Sequence, residues 1–391
     1  MNQQQRRSIH VSRGIASAIA TPVFVLGLAM PAQQAYAQTC TPSLHGTYDT
    51  PDRIYDIQVE GTTAYLACDD EGLFIVDVSQ PHAPALLGTY DTAGQARGVT
   101  VVGTTAYIAD NASGLVIVDV SNPASPALLG GFSDLNSSAN RVFLEGTTAY
   151  IANSTGMHIL DVSTPASPSL IGQYFSISMG DVVVNDAVAY IASYSLGVRL
   201  LDVSNPQTPT WIADFDTPGN ASQLQLVGST LYIADQQGGL QIADVTNPAS
   251  PTLLGKYDTQ FNAMDVSVVG TTAYVADTSR GLQVIDVSTP ATPVLLGEYN
   301  TPTSSNYLYA SNTSTAYISD FVDGLYVLDV SSCSTSCYAD CDASGSLNVF
   351  DYICFGNEYA NQSAYADCDQ NSAFNVFDYI CFGNEYAGGC P

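Results

Sequence analysis

The stretch GLVIVDVSNPASPALLG, from Gly114 to Gly130, decides the fold of this chain. It reads as a short apolar strand, a turn built around two prolines and a second apolar strand, because proline cannot continue a β-ladder. Near-copies begin at Gly72, with GLFIVDVSQPHAPALLG, and at Gly281, with GLQVIDVSTPATPVLLG. A segment repeated this closely indicates a fold assembled from equal units.

The spacing of the copies shows how many units the chain contains. The aspartate of the VDV-type phrase recurs at Asp77, Asp119, Asp161, Asp202, Asp244, Asp286 and Asp329. Successive intervals are therefore 42, 42, 41, 42, 42 and 43 residues. A tyrosine keeps the same spacing at Tyr65, Tyr107, Tyr150, Tyr190, Tyr232, Tyr274 and Tyr317. Seven copies of one unit are present.

Each unit reads as four short strands separated by turns. In the second copy we expect strands at Gly98–Val102, Ala106–Ala109, Leu115–Val120 and Ala127–Phe132. Four antiparallel strands in a repeat of this length are typical of one blade of a β-propeller, and stacked blades bury the faces that a lone blade exposes. A β-solenoid is the alternative, although its repeats are normally shorter. The sequence thus predicts an all-β, seven-bladed propeller.

The two ends of the repeat region predict how the ring closes. Residues 44–50 match the fourth strand of a unit but precede the first complete unit, whereas the seventh unit stops at Val330 after its third strand. The N-terminal strand therefore completes the last blade and removes two open sheet edges at once. Cys40 precedes this strand and Cys333 follows the last third strand, so closure predicts a disulfide between them, with Cys337 as the rival partner.

The third-strand phrase resembles the LVIVD repeat of secreted and surface bacterial propellers. The letters LVIVD stand at Leu115–Asp119, and the other copies read LFIVD, MHILD, VRLLD, LQIAD, LQVID and LYVLD. The resemblance covers Ser43 to Ser332. It implies a propeller fold and export, and it implies no particular ligand.

The first 37 residues resemble a secretory signal peptide. Three arginines precede an apolar run from Ile15 to Met30, and Ala35–Ala37 form a small-residue cleavage site. The run is short for a membrane span and contains Pro22, so we expect cleavage after Ala37 and no membrane insertion of the mature chain. The expected location is secreted, extracellular or on the surface of a bacterial cell. The predicted domains are a signal peptide at 1–37, the propeller at 38–332, a linker at 333–337 and a second module at 338–391.

The charge of the chain excludes some classes of partner. The formal net charge is −28, and 46% of residues are hydrophobic, which indicates a packed core rather than an acidic disordered chain. Loss of the signal peptide leaves 37 acids against six cations, Arg53, Arg97, Arg141, Arg199, Lys256 and Arg280. Binding to nucleic acid or to an anionic membrane needs clustered lysine and arginine, so neither partner is expected.

Two copies of a different motif follow the propeller. They read YADCDASGSLNVFDYICFGNEYA from Tyr338 and YADCDQNSAFNVFDYICFGNEYA from Tyr365. Each has the spacing of a calcium loop, in which six to eight oxygens surround the ion. The sequence therefore predicts two calcium ions. The predicted ligands are Asp340, Asp342, Ser344, Ser346, Asn348 and Asp351 in the first loop, and Asp367, Asp369, Asn371, Ala373, Asn375 and Asp378 in the second, Ser346 and Ala373 acting through their carbonyls.

This tandem is similar to a dockerin. Aspartate at loop position 12, asparagine at position 9 and a single apolar helix after each loop carry the resemblance, with helices expected at Val349–Tyr359 and Val376–Tyr386. The resemblance implies a small α-helical module that binds a protein receptor, either cohesin-like or a surface anchor. Ser372 stands where the loop turn favours glycine, which departs from the pattern. A solvated acidic tail is the alternative interpretation.

No catalytic motif is evident. The mature chain holds His45, His82 and His158, none of which recurs with a serine or cysteine nucleophile, and no G-x-S-x-G phrase is present. No catalytic residue is therefore assigned.

Carboxylates remain as candidates for a site. The second turns and the stretches after the fourth strands, which share one face of a propeller, carry Asp69 or Asp70, Asp110, Asp235, Asp277, Asp320, Asp49, Asp91, Asp216 and Asp258. Near the start of the first strands lie Asp56, Arg141, Asp181 and Asp265, which we expect at the mouth of an axial channel. Turn chemistry alone, a cation or ligand site, and paired carboxylates for glycoside cleavage are the three interpretations.

The favoured function is non-catalytic. We expect a secreted or surface scaffold whose propeller face recognises a protein or glycan and whose calcium-dependent tail docks to a surface or complex. The alternative is an extracellular carbohydrate-active enzyme, a hydrolase or lyase with an acidic site at the channel mouth. A structural component of the envelope is a third interpretation.

Overall fold

The computed structural model describes residues 40–133, 137–176 and 179–333, together with Phe355. Within these ranges the chain forms seven four-stranded antiparallel sheets, and a 3-10 turn follows at Ser331–Cys333. None of the described residues forms a helix of the length and apolarity that a membrane span requires. The all-β, seven-bladed propeller predicted from the repeat is confirmed for this part of the chain. The signal peptide, the α-helical module at 338–391 except Phe355, and all twelve predicted calcium ligands lie outside the described residues.

The strands follow the repeat closely. The first is β1 (Ser43–Tyr48). Blade 1 contains β2 (Asp56–Glu60), β3 (Thr63–Ala67), β4 (Leu73–Asp77) and β5 (Ala85–Tyr90). Blade 2 contains β6 (Gly98–Val102), β7 (Thr105–Ala109), β8 (Leu115–Asp119) and β9 (Ala127–Phe132). Blade 3 contains β10 (Ala139–Glu145), β11 (Thr148–Asn153), β12 (Gly156–Asp161) and β13 (Ser169–Phe175). The bounds predicted for blade 2 are correct to within one residue.

The remaining blades have the same order. Blade 4 contains β14 (Asp181–Asn185), β15 (Val188–Ala192), β16 (Val198–Asp202) and β17 (Thr210–Phe215). Blade 5 contains β18 (Gln223–Val227), β19 (Thr230–Ala234), β20 (Leu240–Asp244) and β21 (Thr252–Tyr257). Blade 6 contains β22 (Ala263–Val269), β23 (Thr272–Asp277), β24 (Gly281–Asp286) and β25 (Val294–Tyr299). Blade 7 contains β26 (Ser305–Ala310), β27 (Thr315–Asp320) and β28 (Gly324–Asp329), with β1 as its fourth strand.

The ring closes as the ends of the repeat region predict. Strand β1 pairs antiparallel with β28, with Ser43 opposite Asp329 and Tyr48 opposite Leu325. A disulfide joins Cys40 to Cys333, whose Cα atoms are 4.8 Å apart across 293 residues of sequence. The predicted pairing is therefore confirmed, and Cys337 is not the partner of Cys40. A strand from each end of the repeat region thus completes one sheet.

The hydrophobic core is divided among the interfaces between neighbouring blades. Between blades 1 and 2, for example, Ile75 packs in one cluster with Val99 and Ile108, and none of the three is more than 3% exposed. The third strands are mainly apolar because both of their faces are covered, as Leu115 and Val118 are in blade 2. Burial of each such side chain stabilises the fold by about 1.5–3 kcal/mol, so the blades depend on their neighbours for stability.

One glycine shows how closely the blades approach each other. Gly46 of β1 lies against the proline turn of blade 1, and a Cβ atom at Gly46 would stand 2.6 Å from the carbonyl oxygen of Pro81. Real Cβ contacts do not approach backbone atoms so closely, and only glycine fits. The glycine of the repeated LLG phrase is therefore a packing residue.

The innermost strands bond to each other through side chains. Their edges face the channel and have no strand partner, which leaves N–H and C=O groups to be satisfied. Gln58 of blade 1 donates to the carbonyl of Val101 in blade 2 at 3.0 Å and accepts from its N–H at 2.8 Å. Gln225 of blade 5 makes the same pair of bonds with Val268 of blade 6. Polar side chains in the middle of the inner strands therefore connect neighbouring blades around the axis.

Candidate functional site

One residue of each innermost strand occupies the same position, and we call these seven the axial ring. They are Asp56, Gly98, Arg141, Asp181, Gln223, Asp265 and Tyr307. In the first six blades this residue pairs with the alanine near the end of the second strand, as Asp56 does with Ala67 and Arg141 with Ala152. The repeat therefore brings residues up to 251 positions apart (307 − 56) to one point. Asp56, Arg141, Asp181 and Asp265 were expected at the channel mouth; the structure gathers all four around the axis, but only Arg141 lines the pocket at the mouth.

Arg141 of blade 3 fills the axis. Its Nη1 lies 3.0 Å from Oδ2 of Asp56 and donates to the carbonyl of Tyr55 at 2.9 Å and to that of Arg97 at 2.6 Å. When the amide of Gln223 is oriented to suit both partners, its oxygen accepts from Nη2 of Arg141 at 2.7 Å. The guanidinium thus contacts blades 1, 2 and 5 and is only 7% exposed.

Gly98 makes room for this arginine. A Cβ at Gly98 would lie 2.9 Å from the carbonyl oxygen of Asn140 and 3.3 Å from Cδ of Arg141. Blade 2 therefore contributes no side chain to the axial ring, and blade 3 contributes the longest one. Gly98 and Arg141 therefore depend on each other, because the small residue leaves the space that the long one occupies.

The three axial aspartates bind backbone N–H groups. Asp56 accepts from its own strand and from Val99 of the next blade at 2.8 Å, and Asp265 likewise accepts from Leu308 at 2.9 Å. Asp181 accepts from Leu224 at 3.0 Å. Each carboxylate therefore satisfies an edge N–H that has no strand partner and joins two blades.

Burial makes these carboxyl groups harder to ionise. Loss of solvation raises the pKa of Asp181 to about 6 and that of Asp265 to about 7, while the positive charge of Arg141 opposes the rise in both. Burial also raises the pKa of Asp56, against the same opposing charge of Arg141. One arginine thus counterbalances three carboxyl groups in a closed space.

A pocket opens above the axial ring at the channel mouth, and we call it the mouth pocket. Its volume is about 120 Å³. It is lined by Tyr55, Arg97, Asn140, Arg141, Gly180, Tyr194, Ser222, Gln223, Gln236, Met264 and Tyr307. The lining contains three tyrosines, two arginines and no carboxylate, which is unusual in a chain this acidic. Neither Asp181 nor Asp265 reaches it.

Arg97 lies across the mouth pocket on an aromatic ring. Its guanidinium carbon is 3.9 Å from the ring centroid of Tyr55, a cation–π contact, and the rings of Tyr55 and Tyr307 are 5.8 Å apart. Nη2 of Arg97 donates to Gln95 at 3.1 Å and lies 3.6 Å from Oδ1 of Asp69. Its Nε is buried and has no acceptor among the described residues. The group therefore retains hydrogen-bonding capacity.

Tyr194 has a backbone conformation that is unfavourable for its residue type. Its φ is 47°, in the left-handed region, where the equivalent residues Asp69, Asn111 and Gln236 have φ of 36°, 47° and 42°. Each of the four forms an isolated bridge to an alanine of the next blade, so the position itself imposes the conformation. Asparagine and aspartate tolerate it far better than a bulky aromatic residue. The phenol of Tyr194 lies over Gly180, where a Cβ would meet Cζ and Oη at 3.3 Å.

Four of the acids predicted on this face have structural roles. Asp110 and Asp235 are fully buried, and each accepts a hydrogen bond of 2.6 Å from a threonine 18 residues earlier, Thr92 and Thr217 respectively. Asp277 and Asp320 are also buried and accept bonds from nearby backbone N–H groups. The interpretation as turn chemistry is confirmed for these four. Asp49, Asp91, Asp216 and Asp258 are exposed on the same face.

The aspartate of the repeated VDV phrase is structural in every blade. It accepts the N–H two residues later at 2.8–2.9 Å, as Asp77 does from Ser79 and Asp329 from Ser331. This bond stabilises the start of the proline turn. Among the described residues, no cluster of three or more His, Cys, Asp or Glu is arranged to hold a metal ion.

The histidines lie away from the mouth pocket. Nε2 of His45 in β1 is 3.5 Å from Oδ2 of Asp329. The ring centroids of His45 and His82 are 4.6 Å apart, with the rings tilted by 58°, at the closure between blades 7 and 1. His158 of β12 is buried and bonds to Asn153 at 2.7 Å. None of these three described histidines lines the pocket.

Sequence reasoning missed most of the mouth pocket. Tyr55, Arg97, Tyr194 and Tyr307 had no assigned role because the first two precede strands, Tyr194 lies in a turn and Tyr307 lies in a strand of the one blade that departs from the repeat. A signal was available, since alignment of the seven units shows two adjacent inner-strand positions, Tyr55-Asp56 in blade 1 and Arg97-Gly98 in blade 2, whose pair of residues differs in every copy. Positions that escape a repeat in this way are where a repeat protein places its individual chemistry.

Comparison with known proteins agrees with this architecture. The LVIVD repeat family model matches residues 54–92, 93–134, 137–176, 178–217, 218–259, 262–301 and 315–336. A comparison with curated proteins finds no match. The fold is similar to the WD40 β-propeller domain of Doa1, with a TM-score of 0.61 and 12% identity over 76% of this chain and 100% of that one.

The fold is also similar to the computationally designed Ika8 protein. The TM-score is 0.57 and the identity 8%, over 74% of this chain and 99% of that one. Identities this low show the architecture and nothing of the ligand. The family match covers seven segments that together exceed half of the chain. The protein therefore belongs to the LVIVD-repeat family.

Proposed function

We propose that this protein is an exported, non-catalytic recognition and scaffold protein. The face that carries the second turns and the mouth pocket, which we call the recognition face, binds a protein or glycan ligand. The C-terminal tandem docks the molecule to a cell surface or a multiprotein complex through calcium. The propeller serves as a rigid frame between the two activities.

The observation that carries this proposal is the engagement of the axial carboxylates. Asp56, Asp181 and Asp265 each hold a backbone N–H of the next blade, and Asp56 is also paired with Arg141. A general acid or base must be able to reach a substrate atom at hydrogen-bond distance. These three carboxylates are already hydrogen-bonded to backbone N–H groups, and this favours a role in binding over a role in catalysis.

Exposed apolar and cationic side chains on the recognition face also support the proposal. Phe261, Phe321 and Val322 are 49%, 42% and 62% exposed there, and the guanidinium of Arg53 lies 4.2 Å above the ring of Phe321. Aromatic and arginine side chains are enriched where proteins bind macromolecules, and they contribute most of the energy. Such a surface suits a protein or glycan better than a nucleic acid.

The calcium-dependent tail remains a proposal from sequence. Its carboxylate and carbonyl oxygens have the spacing of two calcium loops, and the partner we propose is a cohesin-like receptor or a surface anchor. Isothermal calorimetry of the full chain with Ca²⁺ tests the loops directly. Two binding events are expected, and the double variant Asp340→Ala with Asp367→Ala should lose both. Heat that is unchanged in this variant would contradict the ligand assignment.

Export is supported by the closing disulfide. Structural disulfides such as Cys40–Cys333 persist in oxidising compartments and are rare in the cytosol. Together with the predicted signal peptide, this supports a secreted or cell-surface location. N-terminal sequencing of the protein recovered from the medium or cell surface should begin at Gln38.

The alternative is a carbohydrate-active hydrolase or lyase. One observation favours it, because a carboxyl group with a pKa of about 7, such as Asp265, can donate a proton near neutrality. Asp265→Asn tests this more cleanly than alanine, since the amide oxygen can still accept from Leu308. Loss of turnover in this variant with unchanged thermal stability would favour the enzyme.

The recognition proposal is tested by binding to a glycan array and to immobilised cell-envelope proteins. Binding without consumption of the ligand is expected, and it should be lost in the double variant Phe261→Ser with Phe321→Ser. The matched control is Trp211→Ser, because Trp211 is 56% exposed on the outer strand β17. Binding that survives the face variant but not the rim variant would contradict the proposal.

A further inference from the structure

We propose that the mouth pocket binds a single neutral sugar ring at the end of a glycan chain. This inference rests on the proposed recognition function and names its ligand class. The parts that carry it are the size of the pocket, the kind of side chains that line it, the charge beneath it and the strained residue that covers it.

The size limits the ligand to one residue. Pockets that enclose a drug-sized molecule measure roughly 300–1,000 Å³. The mouth pocket measures about 120 Å³ and is open to solvent on one side, so it takes the terminal group of a larger ligand. The rest of that ligand would extend across the recognition face.

The lining suits a ring with hydroxyl groups. The half-buried rings of Tyr55, Tyr194 and Tyr307 offer flat apolar faces, while Asn140 and Gln236 offer amide donors and acceptors. Burial raises the pKa of Tyr307 to about 12, so its phenol stays protonated and can donate. The hydroxyl groups of Tyr194 and Tyr307 have no hydrogen-bond partner among the described residues and are available to a ligand. Aromatic faces with polar rims match the alternating C–H and O–H surfaces of a pyranose.

The charges favour a neutral sugar over an acidic one. Each guanidinium of the pocket already has a carboxylate nearby, Arg141 at 3.0 Å from Asp56 and Arg97 at 3.6 Å from Asp69. A ligand carboxylate would therefore meet no uncompensated positive charge, and the acids beneath would repel it. A neutral acceptor, such as a hydroxyl or an acetamido oxygen, can approach the guanidinium of Arg97 without this cost.

The conformation of Tyr194 indicates that its side chain is retained for contact. The backbone at this position needs φ near 45° in four blades, and blade 2 meets the need with Asn111, which tolerates it. A tyrosine is less favourable than asparagine in this region, so Tyr194 strains the backbone here. Its ring does not fill a core cavity but covers Gly180 at the pocket wall, where it can stack on a ligand.

The experiment compares Tyr194→Asn with the wild-type full chain. The probes are a glycan array with neutral hexose, N-acetylhexosamine, uronate and sialate termini, followed by calorimetry with the methyl glycoside of the best neutral terminus. We expect binding to neutral termini that weakens about tenfold or more in Tyr194→Asn, with a melting temperature equal to or above that of the wild type. Trp211→Ala, an exposed aromatic residue on the rim, should bind like the wild type.

Three results would overturn the inference, namely a blank array, binding confined to uronate or sialate termini, or unchanged affinity in Tyr194→Asn. These outcomes are distinguishable from failure of the proposed function. A blank array accompanied by envelope-protein binding that depends on Phe261 and Phe321 leaves the recognition function intact and refutes only the sugar pocket. Absence of binding to both kinds of probe refutes both.

Discussion

Replacement of Arg141 by methionine should cost the propeller a large part of its stability. Methionine keeps an unbranched side chain that ends near the position of Nε, and it removes the guanidinium and its charge. The structure shows three losses at once: the ion pair with Asp56 at 3.0 Å, and the bonds to the carbonyls of Tyr55 and Arg97. Removal of one partner of a buried ion pair typically costs about 3–5 kcal/mol, and we expect the loss of stability in Arg141→Met to fall in this range. The two freed carbonyls should not raise the cost above it, because water can enter from the channel mouth and bind them.

The same variant should show a characteristic dependence on pH. Burial raises the folded-state pKa of Asp181 to about 6 and of Asp265 to about 7, and Arg141 limits the rise. Without the arginine these carboxyl groups should stay protonated to still higher pH. Because a raised carboxyl pKa contributes stability at low pH that is lost as pH rises through it, the deficit of Arg141→Met should be larger at about pH 8 than at about pH 5.

Urea unfolding followed by circular dichroism at both pH values measures this effect. The matched control is Arg199→Met, because Arg199 pairs with Asp214 at 2.7 Å on the more exposed outer part of blade 4 and should cost only about 0.2–1 kcal/mol. Equal losses for the two variants at both pH values would refute the claim that Arg141 holds the axis together. An Arg141→Met deficit that grows toward acid pH would show that the sign of the linkage is wrong.

Three further outcomes follow from the described contacts. Cys40→Ser with Cys333→Ser should lower the free energy of unfolding by about 4–5 kcal/mol, and reduction of the wild type should reproduce the loss in urea titrations. Cys68→Asp should gain a hydrogen bond from Thr50, as Asp110 accepts from Thr92 and Asp235 from Thr217 at the same spacing, and a melting temperature equal to or above that of the wild type checks it. The stability of the wild type should decline between about pH 5 and about pH 8, and Asp265→Asn should flatten that decline. A steeper slope in the asparagine variant would contradict the assignment.

The sequence predicts the ring well because the relevant physics is local and repeated. Four strands per unit follow from turn residues and apolar runs that recur every 42 residues or so. Closure follows from one orphan strand at residues 44–50, and the disulfide follows from closure. None of these steps requires knowledge of a contact between particular side chains across the molecule.

The mouth pocket could not be predicted in the same way. Arg141 and Gln223 are 82 residues apart, and their contact exists only because the ring closes with seven blades and not six or eight. The strain at Tyr194 is likewise invisible in a sequence that shows only a tyrosine in a turn. Its significance appears when the equivalent Asn111 is seen with the same φ.

The hydrogen-bond partners of the turn acids could also have been predicted from the sequence. A threonine stands 18 residues before the acid in several blades, at Thr92 for Asp110 and Thr217 for Asp235. Recognition of this pair would have identified a bond between consecutive blades. Cys68 interrupts the series with Thr50 still in place, which explains why this cysteine is buried and free.

The closing disulfide determines how the molecule carries mechanical load. Cys40 and Cys333 mark the points where the chain enters and leaves the ring, and a covalent bond joins them. Tension applied to the flanking segments therefore passes through sulfur from one to the other and bypasses all seven blades. A tether of this kind can be pulled hard without unravelling, and in a single-molecule pulling experiment the 292 residues between the cysteines (293 − 1) should extend only after reduction.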